Sequence, residues 1–178
     1  SIYIIVYKAE QMESAITHTS EATSRYHWMC NKTKSGKMYI KKEEMYSDAE
    51  IKEVVDAMLA KADIDDSDST KIKVQKITDA ITMTFYYKLE EHNFVKAYNS
   101  DKGMCCEGYS DLFYYTCKAE GIDVLTVASG TDDGLGGHQY NAVRFSGDKY
   151  TMIDITATDI DIITRKFFGH ASGYVITD

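Results

Sequence analysis

Ile51, Val54, Val55, Met58, Leu59 and Ala62 fall at i, i+3, i+4, i+7, i+8 and i+11, one continuous apolar stripe down a helix. A helix with such a face must bury it against partners, so a packed helical layer is required of any fold this chain adopts. The start of the helix is marked as well. Ser47-Asp48-Ala49-Glu50 forms a capping box, in which the hydroxyl accepts from the third backbone N–H and the Glu reaches back. Val74, Ile77, Ile81 and Phe85 continue at helical spacing and predict a second long helix ending near Leu89. From Cys106 to Glu120, the residues Cys106, Tyr109, Leu112, Phe113 and Cys117 share a third helical face, which Gly121 stops. Asp63, Asp65, Asp66 and Asp68 lack the Gly and the distal Glu of an EF-hand loop. They read as a solvated linker leading into a helix N-terminus.

Beyond Gly121 the period changes. Ile122 to Val127 predicts a strand, and Gln139 to Phe145 and Lys149 to Ile155 predict two more, joined by the hairpin turn Ser146-Gly147-Asp148. The loop from Gly130 to Gly137 is followed by a strand and not a helix, so it is no dinucleotide fingerprint. With Asp132 and Asp133 solvated, it is expected to border whatever site His138 belongs to. Upstream, Ser1 to Tyr7 reads as a strand and Lys8 to Met29 as loosely helical. A polar turn at Asn31 to Lys37 and a short strand at Met38 to Ile40 follow, and Gly173 to Thr177 could close the sheet. No Pro occurs, so turns must rely on Gly, Asn, Asp and Ser.

At about 150 residues per domain, 178 residues suggest one domain spanning 1–178. Hydrophobic residues at 44% and charged residues at 27% place it in the globular range. Twenty basic against 28 acidic side chains leave a net charge of −8, which opposes counterion-driven binding to nucleic acid or anionic lipid. Ile2 to Tyr7 is far short of the roughly 20 apolar residues of a membrane span. A start at Ser1 without Met is expected of a segment trimmed from a longer precursor. Cys30, Cys105, Cys106 and Cys117 contain no CxxC pair, and no HxxxH accompanies them. A disulfide scaffold, a structural zinc site and any cofactor are therefore not expected.

Three residues in this layout can carry chemistry together. Cys106 opens a helix, where the positive end of the dipole favours thiolate. His138 begins a strand and Asp154 lies on the strand hairpinned to it, so the two can meet if the register allows. Asp154 also interrupts an apolar strand whose burial would demand a partner for the charge. A His beside the thiol would complete a thiolate–imidazolium pair, and a carboxylate behind it would fix the tautomer. Successive helix residues point about 100° apart, so one of the adjacent cysteines can face His138 and Cys106 is the one in register. Cys105 is expected to be buried, with a resolving or modulatory thiol as the alternative. Cys30 and Cys117 are expected in the core. His18, His27, His92 and His170 have no comparable context.

The stretch Gly103-Met104-Cys105-Cys106-Glu107-Gly108-Tyr109-Ser110 resembles the nucleophile motif of the transglutaminase-like superfamily, Cys-x-Gly-aromatic-Ser/Ala. His138-Gln139-Tyr140-Asn141-Ala142-Val143 resembles its histidine strand, and Tyr150 to Thr156 its aspartate strand ending Asp-x-Thr. The likeness covers about Thr70 to Thr156. It implies an α+β fold with a papain/transglutaminase-like core over 67–178, whose central helix carries the nucleophile and packs on an antiparallel sheet. Residues 1–66 would then form an N-terminal strand and helix extension.

The implied activity is that of a cysteine-dependent hydrolase or acyltransferase acting on peptide or glutamine amides through a thioester, with Cys106, His138 and Asp154 as triad. The alternative is an inactive transglutaminase-like binding module of a larger cell-surface protein. The resemblance also implies a bacterial-type domain, a protein or peptide substrate, and an extracytoplasmic or cell-surface setting, without nucleic acid or membrane insertion. The backbone N–H of Cys106 is the natural first oxyanion donor. Tyr98, eight residues before the nucleophile, is the candidate for a second, with Gln139 as competitor. Tyr140 stands where the family usually has Trp and Ala157 where an aromatic is frequent. Tyr140 and Tyr109 are the candidate substrate-binding residues.

Overall fold

A computed structural model describes residues 24–32, 34–35, 38–130 and 137–156. The strands expected at 1–7 and 173–177, most of the helix expected from Lys8 to Met29 and the loop centre at 131–136 lie outside the described residues.

Helix α1 (Asp48–Ala62) starts as its capping box dictates: Ser47 Oγ accepts from Glu50 N, and Glu50 Oε2 accepts from Ser47 N at 2.8 Å. Its stripe buries Ile51, Val54, Val55, Met58 and Ala62. The acidic linker folds as a turn closed on itself, with Asp65 accepting from Ser67 N and Asp68 pairing with Lys76 at 2.6 Å. Helix α2 (Thr70–Thr82) is capped by Ser69 and buries Val74, Ile77, Ala80 and Ile81. It stops well short of Leu89. The N–H of Phe85 bonds back to Ile81 O, Thr84 Oγ1 takes Ala80 O, and Phe85 still reaches the core from outside the helix. The chain then runs into β3 (Tyr86–Tyr87), which pairs in parallel with β4 (Gly103–Met104).

Between these short strands lies α3 (Phe94–Tyr98), capped by Asn93. Helix α4 (Cys106–Ala119) is the centre of the molecule. Tyr109, Leu112, Phe113, Tyr114 and Cys117 are buried, and so are the polar Ser110, Asp111 and Thr116. One core joins Val54 and Met58 of α1, Ile77 and Ile81 of α2, Phe94, Leu112, Phe113 and the sheet residues Val124, Val143 and Ile153. Each fully buried Phe or Leu side chain contributes about 1.5–3 kcal/mol. Residues before 66, expected as an extension, thus supply part of the same core.

The main sheet is antiparallel in the order β5 (Val124–Gly130), β6 (Gly137–Arg144) and β7 (Tyr150–Ile153). Gly147, at φ 64°, supplies the left-handed position of the β6–β7 turn. Strands β1 (Tyr26–Lys32) and β2 (Met38–Glu44) form a separate antiparallel pair, registered Tyr26↔Glu44 to Lys32↔Met38. Residues 26–29, expected at the end of a helix, are therefore in a strand: ladder pairing with a segment over ten residues away overrides a loose helical period. Ser24 Oγ lies 2.5 Å from Thr126 Oγ1 and Arg25 pairs with Asp48 at 2.8 Å, fastening the base of this hairpin to β5 and α1.

Candidate active site

Cys105 is the N-cap of α4, in extended backbone, and Cys106 is the first helical residue. The thiol of Cys106 therefore sits among the unpaired N–H groups of the first turn. Strand β6 brings His138 and Gln139 to the same point. The register Asn141↔Ile153 and Ala142↔Met152, extended by one step, sets Asp154 across from Tyr140 and diagonal to His138. His138 Nε2 and Asp154 Oδ2 are 2.6 Å apart. The imidazole also hydrogen-bonds the Cys106 thiol, with Nδ1 as the nitrogen left for it, and the backbone N–H of Gln139 donates to the same sulfur. Cys106, His138 and Asp154 are thus hydrogen-bonded in series.

Hydrogen bonds control the charges here. Donation from the Cys105 thiol, followed by the bonds from His138 and the Gln139 amide, outweighs burial and holds the Cys106 thiol far below the ordinary range. The same bond, with burial, pushes the Cys105 thiol up. The bond to Asp154, then that to Cys106, pushes His138 up to about 10 against burial. Near neutral pH the pair is a thiolate beside an imidazolium.

Behind this pair, a buried polar network fixes strand to helix. Gln139 Nε2 donates to Ser110 Oγ at 2.7 Å and to Asp111 Oδ1 at 2.6 Å, and Tyr46 Oη donates to Asp111 Oδ2 at 2.8 Å. Asn141 Nδ2 donates to the carbonyl oxygens of Ser110 and Leu125 at 3.0 and 3.3 Å. Burial, then the charge of Glu107, pushes the Asp111 carboxyl well up, against the bonds from Tyr46 and Gln139. Sequence reasoning passed over Asp111 and Tyr46. The available signal was a carboxylate among the apolar side chains of Tyr109, Leu112 and Phe113.

No family model and no curated protein matches this sequence. Among solved structures the chain is similar to one described as a crystal structure of a TGase, with a TM-score of 0.50 and 12% identity over 88% of this chain. The fold is transglutaminase-like. The chain spans about half of that protein's length, the match covering 49% of it.

Within the transglutaminase-like fold, the remaining sequence candidates have different placements. Tyr140 lies beside the site, its ring stacked on His138 with centroids 5.7 Å apart. Tyr109 does not line a cleft: on the face it shares with Cys106 it sits nearly a turn further along α4 and is fully buried in the main core. Tyr98 packs on Phe85, and Lys102 Nζ lies 3.8 Å from its ring centroid, so its described contacts are with these residues and not with Cys106. The side chain of Gln139 is committed to Ser110 and Asp111, and what it offers the site is its backbone N–H. Gly108 permits close packing, since a Cβ there would stand 2.9 Å from Met104 Cβ. Cys117 is buried in the core as expected.

Proposed function

We propose that the protein is a cysteine-dependent acyl-transfer enzyme that cleaves a peptide or glutamine amide through a thioester. The observation that supports this most is the hydrogen-bonded series Cys106, His138, Asp154 at the N-terminus of the central helix. The Cys106 thiolate attacks the carbonyl carbon, forming the C–S bond and a tetrahedral oxyanion. The Cys106 backbone N–H, at the first position of α4 where no intrahelical acceptor exists, is the donor for that oxyanion. His138 gives its proton to the leaving nitrogen as the C–N bond breaks, which releases an amine or ammonia and leaves the thioester. The neutral imidazole then removes a proton from water, the resulting hydroxide attacks the thioester, and the carboxylic acid and thiolate are regenerated. A primary amine in place of water would give a new amide. Asp154 keeps the ring oriented and stabilises its charged form. Tyr140, stacked on the imidazole, covers one face of it.

The test uses p-nitrophenyl acetate, which acylates an activated thiol without demanding a substrate groove. The expected result is a stoichiometric burst of p-nitrophenolate and an acetyl group on the peptide containing Cys106. Cys106→Ala should abolish the burst and Cys105→Ala should retain most of it. A burst that survives Cys106→Ala, or none from folded wild-type protein, would refute the reading. Competition between water and an added primary amine for the acyl group then separates hydrolase from acyltransferase.

A further inference from the structure

Next to Cys106, and outside the series just described, four donor side chains from three separate segments converge. His27 comes from β1, His92 from the segment before α3, and Cys105 and Glu107 flank the nucleophile at the start of α4. His27 Nδ1 and His92 Nδ1 lie 2.9 and 2.8 Å from the same oxygen, Glu107 Oε2. His92 Nδ1 is also 3.2 Å from Cys105 Sγ. The two imidazoles are tilted against each other at 4.8 Å between centroids, and the ligand atoms of His27, His92 and Glu107 all fall within 4.8 Å of one another.

Hydrogen bonding alone uses this arrangement poorly. His92 has one N–H at Nδ1, and it cannot point at full strength toward both the carboxylate and the thiol. A cation among the ligand atoms of His27, His92 and Glu107 would engage all three, with Cys105 Sγ, 3.2 Å from His92 Nδ1, as the fourth ligand. We propose that His27, His92, Cys105 and Glu107 form a zinc-binding site that pins the β1–β2 hairpin to the nucleophile-bearing end of α4.

The donor set, two imidazole nitrogens, one carboxylate oxygen and one thiolate sulfur, suits Zn2+ among the common divalent cations and is poor for Mg2+ or Ca2+. Tetrahedral zinc with bonds of about 2.0–2.3 Å separates its ligand atoms by about 3.3–3.8 Å. The separations of 2.8, 2.9 and 3.2 Å would need to open by a few tenths of an ångström to one ångström. Cys105, which lies outside the group whose ligand atoms are within 4.8 Å of one another, would have to swing inward to complete the tetrahedron. On binding, Cys105 loses to solvent the proton it otherwise donates to Cys106, so the metal also removes the bond that most lowers the Cys106 thiol. Each imidazole coordinates through Nδ1 with its proton on Nε2.

The framework holds the donors without help from the metal. Cys105 N donates to Glu91 O at 2.7 Å, which sets His92 against Cys105, and Asn93 Nδ2 donates to Met45 O at 2.9 Å, which ties that segment to the end of the hairpin. The His92 side chain is 44% exposed and offers an entry path, while that of Glu107 is 12% exposed and closes the floor. No local spacing links residues 27, 92 and 105–107, so the group is visible only in the fold.

The test is titration of the whole 178-residue chain with Zn2+ against a chromophoric chelator, and with Co2+ in place of Zn2+ as a spectroscopic probe. One Zn2+ per chain is expected, with affinity falling roughly 100-fold or more in His27→Ala and in His92→Ala. The Co2+ adduct should show a sulfur-to-cobalt charge-transfer band that persists in Cys106→Ala and disappears in Cys105→Ala. Circular dichroism of each variant restricts the comparison to folded protein, and His92→Gln is a milder second variant if His92→Ala does not fold. A band that follows Cys106 instead would place the metal on the Cys106–His138 pair and overturn the proposal. Absence of stoichiometric uptake, or uptake indifferent to both histidines, would overturn it too.

Discussion

Asp154→Asn isolates what the carboxylate does for the site. The amide preserves size and shape but turns the charge-assisted hydrogen bond that is the main cause of the His138 value of about 10 into a neutral one. With the Cys106 bond still raising it, the imidazole should fall toward the ordinary value of about 6.5, the limit at which only about one ring in eleven carries a proton near pH 7.5. The Cys106 thiolate would then lose most of its charged partner. If alkylation tracks that partner, its rate falls by up to about tenfold. The side chains of His138 and Asp154 are 41% and 24% exposed, so solvent screens part of their coupling. A loss between about threefold and about tenfold is therefore expected. Iodoacetamide labelling mapped to Cys106 by mass spectrometry gives the rate, and NMR titration of the His138 ring gives the cause. If His138 in the variant still titrates more than about two units above the ordinary imidazole value, Asp154 is not what raises it and the reasoning fails.

The same shift fixes a sign for stability. A group whose value is raised on folding contributes fully below its unfolded value, about 6.5, and loses the contribution as pH rises through about 10. The difference in Tm between wild type and Asp154→Asn should accordingly narrow as pH rises from neutral through that range, and a gap that widens contradicts the assignment. Asp111→Ala leaves Tyr46 Oη and Gln139 Nε2 without their buried acceptor. It should cost about 2–5 kcal/mol in urea unfolding, and a cost under about 1 kcal/mol would mean that the network carries little. Gly108→Ala should destabilise by pressing its Cβ against Met104. Adding Met104→Ala should recover part of that loss, and strictly additive effects in the double mutant would show that the contact is not the cause.

What the sequence disclosed was local. The Ser47 to Glu50 box and the stripe from Ile51 to Ala62 specify α1, because capping and burial period act within one element. Cys106 at the start of a helix ending before Gly121, and Gly147 in the β6–β7 turn, were legible for the same reason. The meeting of His138 with Asp154 was accessible since a hairpin constrains its own register. What escaped depends on distant partners. The β1 strand exists through its ladder to β2, and the end of α2 is set by where β4 lies waiting for β3. Tyr109 and Tyr98 show a further limit: whether an aromatic beside a motif joins the core or the site is decided by packing that spans the chain.

The paired bonds of Gln139 and His138 also act as a lock on alignment. Gln139 and His138 are neighbours in β6, and both must reach α4 at once: Gln139 to Ser110 and Asp111, His138 to Cys106. Apolar contacts tolerate sliding, whereas hydrogen bonds of this kind are directional. If β6 slipped by one residue so that His138 faced the acceptors meant for Gln139, Gly137 would stand opposite the thiol with no side chain to bond it. Misregistered folds would lose the buried bonds and the thiol's partner together. Such folds are poorer in stability as well as inert, so selection for a stable chain also selects the alignment on which the chemistry depends.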